Sequence, residues 1–349
     1  MTKIDRHLMR NVIFFYLLSK IIIVSAAYVY WPILFGQSIF KFNDFGYYVS
    51  GDLGVGPNIG YRWILWLLGI GAIDELLPVF LASIINISVD LAWLHLLRKY
   101  LGFFGILFFA LALGFHPYAA TYTVKFSSII FAKIGVYFFC KNLINGGLDG
   151  VVRKKFLFAE WLILVGLTML RNSNLFIFSP YIFLRLRCKP MAAFMAAGSF
   201  IIIVYLLSGE YMSGVNPSKW PWTVSYVKEV FEIEHTIIAL PLTVIARSIL
   251  LFGGREKLFT SGLEPFLVPG IPSLQLFVFV LLGVLQFYGF YVAIRFFLTR
   301  YGAPSLVLMV PVILSMFSVA HQRYLIPFIP ICLFGLGLVV DKLLAEKGQ

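Results

Sequence analysis

Long apolar runs separated by short polar breaks dominate the chain. A helix that crosses a bilayer needs roughly 20 apolar residues. Runs near that length cover 12–35, 76–97, 101–118, 124–144, 156–170, 174–188, 191–208, 273–294, 304–320 and 324–340. The pattern predicts an all-α polytopic membrane protein with about ten transmembrane helices, forming one domain over residues 1–349. The runs 156–170 and 174–188 are short, so the turn Arg171-Asn172-Ser173-Asn174 between them is expected to be recessed into the membrane. The stretch 236–254 decides the topology: it is apolar but short, contains Pro241 and Arg247, and ends in Gly253-Gly254. Laid along the interface as an amphipathic helix, it leaves Lys3, Arg6, Arg10, Arg98, Lys99, Arg153, Lys154, Lys155, Arg185, Arg187, Lys189, Arg295, Arg300, Lys342 and Lys347 on one side. Lys and Arg are retained on the cytoplasmic side of short loops, so both termini are expected inside. Segments 36–75 and 209–272 then lie outside and carry short interfacial helices, the first of them in the Trp-rich piece 61–71.

Composition removes the competing classes. The chain is 60% hydrophobic and 13% charged, with 36 Phe, 18 Tyr and 7 Trp, whereas soluble domains carry about 25% charged residues. That excludes a soluble enzyme, a disordered chain and a secreted disulfide scaffold. The formal charge of +12 comes without long basic runs, so it marks cytoplasmic loops and not a nucleic-acid partner. Cys140, Cys188 and Cys332 sit in or beside apolar stretches and make neither a disulfide framework nor a CxxC-type metal site. The basic N-terminus runs into the first apolar run without a small-residue cleavage site, which predicts an uncleaved first helix in the cytoplasmic (inner) membrane.

The expected outer ends of the spans hold a sparse polar set: Asn43-Asp44-Phe45-Gly46-Tyr47-Tyr48, His116-Pro117, Lys125, Arg171-Asn172 and His321-Gln322-Arg323-Tyr324. One carboxylate and several cations on one face are the inventory for moving a group off a phosphate, a base for the acceptor and positive charge for the leaving group. Asp52, eight residues after Asp44, is a competing base. Three of these segments carry a resemblance. Asn43 to Tyr48 resembles the acidic motif of the GT-C superfamily of polyprenyl-phosphate-sugar glycosyltransferases. Leu170-Arg171-Asn172-Ser173-Asn174 is similar to a mid-chain T/L-R-x-N turn of those families, and His321 to Pro330 to their late R-Y-x-x-P-x-x-P helix. The resemblance implies an inverting sugar transfer from a polyprenyl-phosphate donor to a lipid-linked glycan or glycolipid acceptor on the extracytoplasmic face. It implies Asp44 as base, and Arg171, Arg323, His321 and Lys125, with Tyr324 and Asn172, around the leaving phosphate. The acidic motif has one carboxylate where many relatives have two, and no soluble C-terminal domain is visible. No cofactor is implied, and a divalent cation stays open.

Other readings remain beside this one. Ser83, Asn86 and Asp90 share a face of the second predicted span, and Asp90 is placed to pair with Lys133 of the fourth. Such a pair is interhelical glue or part of an ion relay in a lipid-linked oligosaccharide flippase or transporter. An O-antigen-type polymerase would also handle lipid-linked glycans outside. Its Arg-ten residues-Gly pattern does not start from Arg62, Arg171, Arg247 or Arg255. Glu210, Glu229, Glu232, Glu234 and His235, of which Glu229, Glu232 and His235 have helical spacing, read first as a solvated face and second as a metal site.

Overall fold

The structure, a computed structural model, describes residues 6–35, 58–70, 76–116, 123, 127–153, 158–186, 190–208, 228, 232, 234–252, 272–317 and 325–347. Every regular element among them is helical. The α-helices are α1 (Arg6–Phe35), α2 (Ile59–Leu67), α3 (Leu76–Leu97), α4 (Phe103–Phe115), α5 (Ile129–Arg153) and α6 (Phe158–Leu170). They continue as α7 (Leu175–Arg185), α8 (Pro190–Ser208), α9 (Thr236–Phe252), α10 (Pro272–Tyr301), α11 (Met309–Phe317) and α12 (Ile329–Lys347). Tight 3₁₀ turns occupy Asn172–Asn174, Ala303–Leu308 and Ile326–Phe328.

Four of the described helices are long and apolar enough to cross a membrane, over His7–Ala26, Leu77–Leu97, Val280–Tyr301 and Ile326–Glu346. The chain is therefore an all-α protein with membrane-spanning helices, but the described residues do not give the ten spans that the apolar runs suggest. The reason is local. Run 101–118 yields only the 13-residue α4, because the residue before a proline is held out of the helical region; His116, followed by Pro117, is extended with ψ 119°. At 1.5 Å per residue α4 is about 20 Å long, against roughly 30 Å of hydrocarbon. Run 304–320 is divided between the 303–308 turn and the nine-residue α11. Runs 156–170 and 174–188 become helices of 13 and 11 residues.

The core is built around α12, which packs against α10 on one side and α4 on the other, while α4 in turn packs on α1. Small residues permit the closest crossings: a Cβ on Gly289 of α10 would overlap the Cys332 carbonyl, and one on Gly335 would overlap the Gly289 carbonyl. Without a hydrophobic drive between helices in lipid, such backbone-to-backbone approach supplies the packing attraction. The start of α4 is held by Asp341 of α12, whose carboxylate accepts from Gly102 N (2.5 Å) and Gly105 N (2.7 Å). Amides at a helix start have no partner within the helix, and a carboxylate there also meets the positive end of the helix dipole. This contact sets α4 antiparallel to α12, so the far end of α4 at His116 falls level with the 326–328 turn.

Outward faces are apolar. Met191, Phe194 and Met195 of α8 are 73%, 69% and 67% exposed, and Trp66 and Leu67 of α2 are 64% and 72%. Contiguous apolar surface of this kind is what lipid, not water, accepts. The helix of the 236–254 stretch, α9, runs to Phe252 with Pro241 inside it. It packs against α10 and α11, burying Leu251 and Phe252, with Phe252 edge-on to Phe287 of α10 at 5.3 Å.

Candidate functional site

The α6–α7 hairpin turns at Arg171–Asn174. Its open end is tied by Glu160 of α6, which accepts from Tyr181 Oη (2.8 Å) and Arg185 Nη2 (2.9 Å) of α7. The eleven steps from Glu160 to Arg171 span about 16 Å, so a hairpin with its charged end at one membrane face would turn inside the hydrocarbon layer. Polar backbone at that depth has to be satisfied within the protein, and several groups of the turn find partners there. Asn172 N donates to Asn58 Oδ1 (3.0 Å) and Asn58 N donates back to Asn172 Oδ1 (3.2 Å). Asn58, at φ 52°, takes the left-handed cap position of α2, a conformation that asparagine tolerates better than most residues. Asn174 Nδ2 donates to the carbonyls of Phe131 (3.1 Å) and Leu167 (2.9 Å).

The guanidinium of Arg171 leaves this frame and donates through Nη1 to Ser128 Oγ (2.9 Å), just ahead of α5. Asn58 Nδ2 reaches the same hydroxyl at 3.5 Å. Arg62, in the first turn of α2, is only 6% exposed, and α2 packs on α6.

A buried ionic cluster follows about one and a half turns along α5. Lys133 donates to Asp90 Oδ1 of α3. Asp90 Oδ2 accepts from Tyr16 Oη of α1 (2.8 Å) and lies 3.6 Å from Lys20 Nζ of α1. Lys20 also donates to the Leu113 carbonyl of α4 (3.2 Å). All four residues are at most 3% exposed, and His116 is buried near enough to feel the charges of Lys20, Lys133 and Asp90. The cluster joins α1, α3, α4 and α5 through one carboxylate. Burial of ions is tolerated when they are paired and hydrogen-bonded.

Of the residues singled out from sequence, Arg171 and Asn172 fall in one network, and Asp90 pairs with Lys133. Asp44, Lys125, His321, Arg323 and Tyr324 lie outside the described residues, as does Asp52. Leu325, next in the chain after Tyr324, is buried, and the 326–328 turn that follows packs on α5. Among the acids of the 229–235 cluster, Glu229 lies outside the described residues, while Glu232, Glu234 and His235 are exposed. The sequence reading missed Asn58, Arg62, Ser128, Tyr16 and Lys20. Only Lys20 left a usable signal, a lone cation within the run 12–35; a charge there must find a partner in the bundle.

No family model, no characterised protein and no solved structure matches this chain.

Proposed function

We propose that the chain is an integral-membrane glycosyltransferase of GT-C type that uses a polyprenyl-phosphate-sugar donor and a lipid-linked glycan or glycolipid acceptor at the extracytoplasmic face. The observation that supports it is the α6–α7 turn: a guanidinium, Arg171, bonded to Ser128 beside the reciprocal Asn58–Asn172 hydrogen bonds, within a bundle with an apolar exterior. In this reading Asp44 takes the proton of the acceptor hydroxyl and the oxygen attacks the anomeric carbon. The bond from that carbon to the lipid phosphate breaks, and its electron pair leaves with the phosphate. Arg171, with Arg323, His321 and Lys125, offsets the charge that develops there. Preorganised cations are worth most where water is excluded.

The test is transfer of labelled sugar from a synthetic polyprenyl-phosphate hexose to extracted glycolipids in proteoliposomes of the full chain. Asp44→Asn is expected to lower turnover by at least about a hundredfold, the scale of a lost general base. Arg171→Gln is expected to lower it by a comparable factor, the scale of one lost transition-state donor. Wild-type turnover in Asp44→Asn overturns the reading. A second reading, a flippase without bond chemistry, is favoured by the buried Lys20–Asp90–Lys133 cluster. It predicts loss of lipid translocation in correctly inserted Asp90→Asn and no effect of Asp44→Asn.

A further inference from the structure

At the end of the bundle opposite His116, where α3 leaves the helical region and α10 ends, two cations converge on one ring. Lys99 Nζ stands 5.1 Å from the centroid of Tyr100, and Arg300 Cζ stands 5.0 Å from it and 5.9 Å from that of Phe296. Tyr100 is itself fixed: its ring packs edge-on to Phe296 at 5.3 Å and Phe334 at 6.3 Å, and its hydroxyl is bonded to that of Tyr301. The two distances to this one centroid place the cationic groups at most about 10 Å apart. Lys99 shows the consequence, its ammonium pushed below its ordinary range by partial burial and by the like charge of Arg300.

Among the described residues, two carboxylates of α12 at this end of the bundle have other partners. Asp341 uses both oxygens on the backbone amides of Gly102 and Gly105, and Glu346 faces Lys342 at 3.8 Å. Beside the pair, the side chains are apolar and open: Phe103 is 42% exposed, Phe104 53% and Leu298 40%. Two like charges held together cost energy that a shared anion returns, and the adjoining apolar surface fits a molecule carrying hydrocarbon next to its charge.

We propose that Lys99, Tyr100 and Arg300 form a headgroup site for an anionic phospholipid, whose phosphate sits between the two cations and whose acyl chains lie over Phe103, Phe104 and Leu298. The site is separate from the Arg171 corner and does not depend on the transferase reading. Basic side chains at a membrane rim are the usual hold on anionic lipids, and here aromatic packing adds preorganisation, which lowers the cost of ordering on binding.

The experiment is native mass spectrometry of the full chain released from neutral detergent, titrated with dioleoylphosphatidylglycerol, dioleoylphosphatidylcholine or inorganic phosphate. One phosphatidylglycerol is expected to bind more tightly than any phosphatidylcholine. The double variant Lys99→Gln/Arg300→Gln is expected to weaken that molecule's binding roughly thirtyfold, from the contribution of two surface cations. Both side chains are exposed, so folding is spared; the charge-keeping pair Lys99→Arg/Arg300→Lys retains binding, as does the control Arg295→Gln. Equal binding of the two lipids, an unchanged double variant, or displacement of the lipid by inorganic phosphate would overturn the proposal.

Discussion

Asp90 shows how much one side chain carries in this fold. It accepts from Tyr16 and Lys133 and faces Lys20, and all of them are buried. Removing one partner of a buried ionic group leaves the rest uncompensated, at a cost of about 3–5 kcal/mol. Asp90→Ala is therefore expected to lower the thermal midpoint of the detergent-solubilised protein sharply. Asp90→Leu combined with Lys20→Met and Lys133→Met, which removes the charges together, is expected to recover most of the loss. A single Asp90→Ala that melts with the wild type would refute the account. At this scale the sequence was half legible. The spacing of Ser83, Asn86 and Asp90 on one helical face leads to Lys133, because two opposite charges in apolar runs have few other places to go. Tyr16 escapes the same logic, and Lys20, a lone cation in its run, signals a partner without naming it, since nothing in a 30-residue apolar helix says which of its faces meets α3. Nor does the pattern announce Ser128, a common residue whose importance lies only in what reaches it from 43 positions away.

Among helices, the apolar runs locate the elements and mistake their lengths. Hydropathy counts residues regardless of backbone, so it passes over His116, which Pro117 holds extended, and over Gly302, whose φ of 73° ends the helix before the 303–308 turn. What hydropathy also misses is how closely two helices approach. The α10–α12 crossing rests on Gly289 and Gly335, where any side chain would meet a backbone carbonyl that cannot swing away. Gly335→Ala is expected to destabilise by about 1–3 kcal/mol through overpacking, read as a lower thermal midpoint. Gly166 and Gly198 are helical glycines with open space beyond them. Alanine there is expected to be neutral or to stabilise by up to about 1 kcal/mol, the ordinary helix-propensity difference. If all three substitutions behave alike, contact at the crossing is not what Gly335 supplies.

For the whole molecule, composition announced the solvent correctly: the exteriors of α2 and α8 are apolar in the folded chain as well as in its sequence. The candidate site was legible only in pieces. Arg171 and Asn172 stand out because a cation and amides in a short apolar hairpin are expected to be recessed, and the structure shows two short helices, of 13 and 11 residues, on either side of that turn. Asn58 does not, because its partner lies 114 residues away and the pairing depends on where α2 docks. Sidedness is the remaining expectation at this scale. The buried 326–328 turn packs on α5, the helix that Ser128 precedes. With the native cysteines replaced, a cysteine at His321 is expected to react with a membrane-impermeant maleimide from the extracytoplasmic side in intact cells. One at Lys347 is expected to be protected until the membrane is opened. The reverse pattern would separate His321 and Arg323 from the outer face and remove the proposed transferase site.

The clasp between Asp341 and the start of α4 joins residues 236 and 239 positions apart. At roughly 5–20 residues per second, α4 leaves the ribosome some tens of seconds before the carboxylate that completes it exists. Through that interval a helix too short to cross the bilayer waits with its first amides open, so biogenesis of this protein ends as a latch closes: an early segment is parked and a late one fastens it.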